Sequence, residues 1–136
     1  MHPAITSLRL LLFVLLATCV LRAADAPSPT ASSTDLHALL VQAVTQRRVV
    51  TFNYDGRRRV VEPHAYGRSR KGHNLLRGFD VEAAAVEAGR AKKASGWALY
   101  SVDKMANVEV TERTFAEPRP GYRRGDRKMR RIHVEL

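Results

Sequence analysis

A mainly β domain opened by a single α-helix is the fold class this sequence predicts, and three observations predict it. One stretch, 35–47, carries apolar residues at helical spacing. Behind it, short runs rich in β-branched and aromatic residues recur between Gly, Pro, Asn and Asp turns. The whole chain is 136 residues, enough for one hydrophobic core but not comfortably for two. Five short strands behind a helix, with a sixth near the C-terminus closing the sheet, read as a small, partly open β-barrel.

The segment before the helix predicts no fold of its own. Leu10 to Leu21 is an apolar run preceded by Arg9 and followed by small residues ending Ala24-Asp25-Ala26, which is a secretory signal pattern with cleavage expected after Ala26. A run of twelve residues falls short of the roughly 20 that a spanning helix needs, so the mature chain is expected to carry no integral membrane span. A used leader implies a secreted or periplasmic address; a misplaced start site implies a cytoplasmic domain beginning near Asp35. Cys19 is the sole cysteine, so a chain without residues 1–26 has neither a disulfide nor a cysteine-ligated metal. Residues 27–34, PSPTASST, bury too little to order themselves and read as a disordered linker. The domain is therefore expected to span 35–136.

Within it the elements follow in order. Ser33, Thr34 and Asp35 offer N-cap oxygens, and Leu36, Leu39, Leu40, Ala43 and Val44 share one helical face, while Arg47 and Arg48 suit the negative end of the helix dipole. VVTFNY at 49–54 and Arg58 to Pro63 form a hairpin about Asp55-Gly56. Pro63 lacks an N–H donor and belongs at an edge or bulge. GRSRKG at 67–72 reads as a basic loop, NLLRGFDV at 74–81 as a third strand in which Gly78 marks a bend or a bulge, and EAAAVEAGRAKKAS at 82–95 as a solvated insertion. WALYSV at 97–102 and NVEVT at 107–111 resume the alternation, and Ile132, Val134 and Leu136 mark the last strand.

Charge narrows the function. Twenty-three Lys and Arg against 13 Asp and Glu give +10, and removing Arg9, Arg22 and Asp25 with the leader and its cleavage site leaves +9, so the charge belongs to the folded domain. Such a balance predisposes a surface toward polyanions. The densest patch lies in the tail, where eight residues from Arg113 onward are Arg or Lys; it serves either as a ligand surface or as an edge guarded by charge against self-pairing. Arg124-Gly125-Asp126 reads as a turn.

Several stretches carry a resemblance. LLVQAVTQRRVVTFNY, RRRVVEPHAYG, NLLRGFD, GWALYSVDKM and TFAEPRPGYRRGDRKMRRI, in that order, resemble the opening helix and strand, the Arg-x-Val-x-Pro step, the naming strand, the aromatic strand with its Asp-containing turn, and the ending of short stand-alone members of the WYL-domain family. The resemblance covers roughly residues 36–136. It implies an SH3-like or Sm-like barrel that senses nucleotides or nucleic acid, in a family whose members usually follow a helix-turn-helix of a bacterial transcriptional regulator; residues 1–35 do not read as such a module. Carried over by position, Tyr54, Arg59, Arg77, Tyr100 and Lys104 approach the ligand groove, while Leu75, Leu76 and Trp97 pack. The chain departs from the family where His73 and Asn74 replace the Trp-Tyr pair and where Ser101 stands in place of a ligand-facing Arg.

Side-chain chemistry points the same way without the family. Guanidinium forks such as Arg59, Arg68 and Arg77 offer bidentate donors to phosphate, and Tyr54 and Tyr100 can stack on bases. His64 and His73 lack a Cys, Asp or Glu at ligand spacing, so no metal or other cofactor is expected. No nucleophile elbow, phosphate loop or triad order appears, so no catalysis is expected either. The sequence therefore predicts a non-catalytic sensor domain binding a nucleotide or single-stranded nucleic acid through a basic, aromatic groove, with possible self-association through edge strands. The alternatives are an exported envelope protein whose basic barrel contacts a protein or anionic surface, and a degenerate regulator fragment that binds nothing.

Overall fold

A computed structural model describes residues 32–88 and 96–136. The leader, most of the linker, and 89–95 of the insertion lie outside the described residues. The element order is α1 (Ser33–Thr45), β1 (Arg48–Tyr54), β2 (Arg57–Arg68), β3 (Asn74–Asp80), α2 (Val81–Ala88), β4 (Trp97–Ser101), a 3₁₀ turn (Val102–Lys104), β5 (Ala106–Thr114) and β6 (Arg131–Glu135). The six strands form one antiparallel sheet, open rather than closed, in the order β4-β3-β2-β1-β5, with β6 beside β2. Among the described residues no helix is long and apolar enough to cross a membrane.

Three expectations are corrected. The cap of α1 is Ser32, whose side chain accepts from the Asp35 N–H while the Asp35 carboxylate accepts from Ser32, so Asp35 is the third residue of a capping box and the helix starts earlier than expected. The insertion is not wholly irregular, because Asp80 caps α2: its Oδ1 accepts from the N–H groups of Glu82 and Ala83 at 3.1 and 2.9 Å. Strand β2 runs on to Arg68, which shortens the basic loop that follows.

That length has a structural cause. The first half of β2 pairs with β1 as far as Val61, and its last four residues, from Ala65, pair with β6. Pro63 falls in the gap between these two partners, beside a bulge, where its missing N–H costs no ladder bond on that side. The hairpin turn lies where expected, with Asp55 and Gly56 at φ 49° and 71°.

The sheet has two covered faces. Val50, Phe52, Val61, Tyr66, Leu76 and Tyr100 form the inner face and pack against Leu40, Ala43 and Val44 of α1. On the outer face, register pairs Glu62 with Phe79, Phe79 with Trp97, and Arg77 with Leu99. The irregular segment 115–130 lies over it: Arg119 reaches Glu62 and Phe79, Tyr122 meets Trp97, and Asp126 meets Arg77.

Candidate functional site

The six residues selected from sequence do not share one concavity. Tyr54, Arg59 and Tyr100 do converge, on the inner face, but around a carboxylate of the protein itself. Asp80 Oδ2 accepts from the Tyr100 hydroxyl at 3.1 Å and lies 3.4 Å from an Arg59 guanidinium nitrogen. Burial, and then the adjacent Asp80 charge, push the Tyr100 phenol well above its ordinary range. Tyr54 stacks edge-on to Tyr100 at 5.1 Å and accepts from the Ser101 N–H. The place expected for a ligand anion is thus filled by Asp80, at the end of β3.

Arg77 stands on the opposite face. Strand alternation decides this, since Leu76 pairs with the inward Tyr100 and Arg77, one residue on, pairs with Leu99. Arg68 sits at the far end of β2, where its Nε donates to the Gly72 carbonyl at 2.7 Å. Lys104 is exposed on the 3₁₀ turn.

Arg77 instead opens onto a concavity of about 760 Å³ on the outer face, built by β3, β4 and the segment 121–128. Its floor is aromatic: Trp97 and Tyr122 lie nearly parallel, 22° apart at 6.1 Å. Both polar tips are engaged, Trp97 Nε1 donating to the Pro120 carbonyl at 3.0 Å and the Tyr122 hydroxyl lying 3.3 Å from the Leu136 carbonyl. The rim of the concavity is cationic. Arg77 is held by Asp126 at 2.6 Å and Arg124 by Glu135 at 3.2 Å, whereas Arg123, Arg127 and Lys128 form no ion pair among the described residues. Burial would raise the Asp126 carboxyl, but Arg77 and the Lys128 N–H outweigh it and hold it below its ordinary range, so the Arg77–Asp126 pair is a fixed wall.

The wall is anchored beneath by a buried polar knot. Glu62 accepts both arms of the Arg119 guanidinium at 2.6 and 2.8 Å, and the Arg119 backbone N–H donates to His64 Nε2 at 3.0 Å. That second bond requires an unprotonated Nε2, so the ring hydrogen sits on Nδ1, which donates to the Glu62 carbonyl at 2.8 Å. Trp97, Phe115 and Tyr122 surround the imidazole at 4.7 to 5.3 Å.

Sequence reasoning marked the basic tail but could not place it. The signal was the run Gly121-Tyr122-Arg123-Arg124-Gly125-Asp126-Arg127-Lys128, an aromatic followed by clustered cations between glycines. Trp97 was assigned only to packing; it packs and also floors the concavity. Two aromatic rings that line a concavity together with guanidinium and ammonium groups lacking a carboxylate partner among the described residues are suited to a planar, negatively charged ligand. Comparisons with family models, with curated proteins and with solved structures found no match for this chain.

Proposed function

We propose that the chain is a non-catalytic binding domain of the WYL type, its open sheet a partly open SH3-like or Sm-like barrel, which takes a nucleotide or single-stranded nucleic acid on the outer face. The site differs from the one the family resemblance implies. The observation that carries the reading is the Trp97–Tyr122 platform beneath Arg123, Arg127 and Lys128, cations without a carboxylate partner among the described residues. The order of helix and strands, and the long β2 shared by β1 and β6, support the barrel assignment.

Trp97 is the only tryptophan in the sequence, so its emission reports the site directly. Titration with mononucleotides and with short single-stranded oligonucleotides is expected to change that emission saturably, and Arg127→Gln is expected to weaken binding about tenfold. Emission indifferent to both ligand classes overturns the reading. A response to oligonucleotides alone assigns the polymer, and equal response to mononucleotides assigns the small ligand.

A further inference from the structure

A second cluster of positive charge lies at the other end of β2 and β6. Arg68 and Arg131 are register partners, directly opposite each other across the strand pair. Like charges in that position oppose pairing, yet among the described residues neither arginine lies within ion-pair distance of a carboxylate. Two imidazoles stand beside them. His133, at a register shift in the β2–β6 pairing, meets His37 of α1 edge-on at 5.0 Å, and His37 Nδ1 lies 3.0 Å from the Tyr66 hydroxyl. These four side chains, with the Ser33 and Thr34 hydroxyls and Asn74, line a concavity of about 420 Å³ that contains no carboxylate. The nearest acid of α1, Asp35, is committed to its capping box.

We propose that this concavity is a separate phosphate site, in which Arg68 and Arg131 clamp a tetrahedral oxyanion and His37 and His133 complete its donor shell. Both guanidinium groups line the concavity, that of Arg68 with its Nε donating to the Gly72 carbonyl and its terminal nitrogens facing no carboxylate among the described residues, and an anion between the two turns their repulsion into a shared attraction. The donors point to phosphate and not to a base, because the tyrosine ring at the edge of the cluster, Tyr66, is buried in the inner core. Electrostatic pressure already acts on the site: burial lowers the His133 titration below its ordinary value, and His37, Arg131 and Arg68 lower it further.

The test uses the full chain and inorganic phosphate, followed by the imidazole resonances of the histidines. Phosphate is expected to move the His37 and His133 signals saturably, at an ionic strength held constant with sodium chloride, and to leave the walled-in His64 and the Trp97 emission unchanged. Arg131→Gln relieves the repulsion with Arg68, so the variant is expected to be at least as stable as the parent in phosphate-free buffer while its phosphate affinity falls about tenfold or more. Arg68→Gln is expected to lower phosphate affinity in the same way, though it also removes the bond to the Gly72 carbonyl. An oligonucleotide that moves the same two signals identifies the phosphate as part of a polymer; no such movement leaves free phosphate or a phosphomonoester as the ligand. Histidine shifts that chloride reproduces, or a phosphate affinity unaltered in both variants, overturn the proposal. Neither result touches the outer-face site, which Trp97 reports independently.

Discussion

His64 has both ring nitrogens committed, one donating to the Glu62 carbonyl and the other accepting from Arg119. Protonation breaks the second bond and places charge among three aromatic rings. Burial accordingly lowers its titration below the ordinary 6.5, an effect that the Glu62 carbonyl and carboxylate only partly oppose. The unfolded chain then takes up protons before the folded one does, so stability is lost as pH falls through and below about 6.5. His133 shifts in the same direction and adds to the loss. Denaturant unfolding between about pH 7.5 and pH 5 is expected to show this decline, and His64→Leu is expected to flatten it while lowering stability throughout. Tyr100→Phe tests the inner cluster. It leaves buried Asp80 without its phenol donor and is expected to cost about 1–3 kcal/mol in the same measurement, with little change in Trp97 emission on ligand addition.

At the scale of elements, segment 115–130 behaves as a cover tied to the sheet at several points, among which the Glu62–Arg119 ion pair has the most buried carboxylate. Glu62 is almost fully buried and both of its oxygens rest on Arg119. Arg119→Leu strands that carboxylate and is expected to destabilise the fold by about 3–5 kcal/mol, whereas the double change Glu62→Leu with Arg119→Leu should recover much of the loss. A chemical-denaturation cycle over the four proteins measures the difference. Strand β3 has its own tight point at Gly78, paired with Pro63: a Cβ there would overlap the Val61 side chain and crowd the Glu62 carbonyl. Gly78→Ala is therefore expected to cost about 1–3 kcal/mol by the same assay. The strands and α1 were legible because their periodicities are local. The cap on α2 was not, since Asp80 reads as strand until its carboxylate is seen accepting from the amides of Glu82 and Ala83. The two-sided covering of the sheet was equally invisible, because a segment without periodicity gives no sign of what it covers.

For the molecule as a whole, the charge of the domain separates into distinct regions. Cations of the tail line the outer-face concavity, while Arg68 and Arg131 gather at the end of β2 and β6. Oligonucleotide affinity is expected to fall steeply with salt, and Arg127→Gln to reduce the slope of log affinity against log salt by about one, as anisotropy over a salt series would show. The sequence made the net charge and the abundance of arginine plain. It could not sort Arg59, Arg77 and Tyr100 onto faces, since a groove drawn through consecutive strands ignores that Leu76 and Arg77 point in opposite directions.

The division of β2 between two neighbours also fixes an order of assembly. Ala65 to Arg68 find their outer partner only in Arg131 to Glu135, more than sixty residues later. During synthesis the hairpin, β3 and β4 can all be in place while that stretch of backbone remains bare, a template onto which any extended segment could add. The domain thus passes through a sticky stage that ends only when β6 emerges, and shortening the chain by those last residues would leave it there permanently.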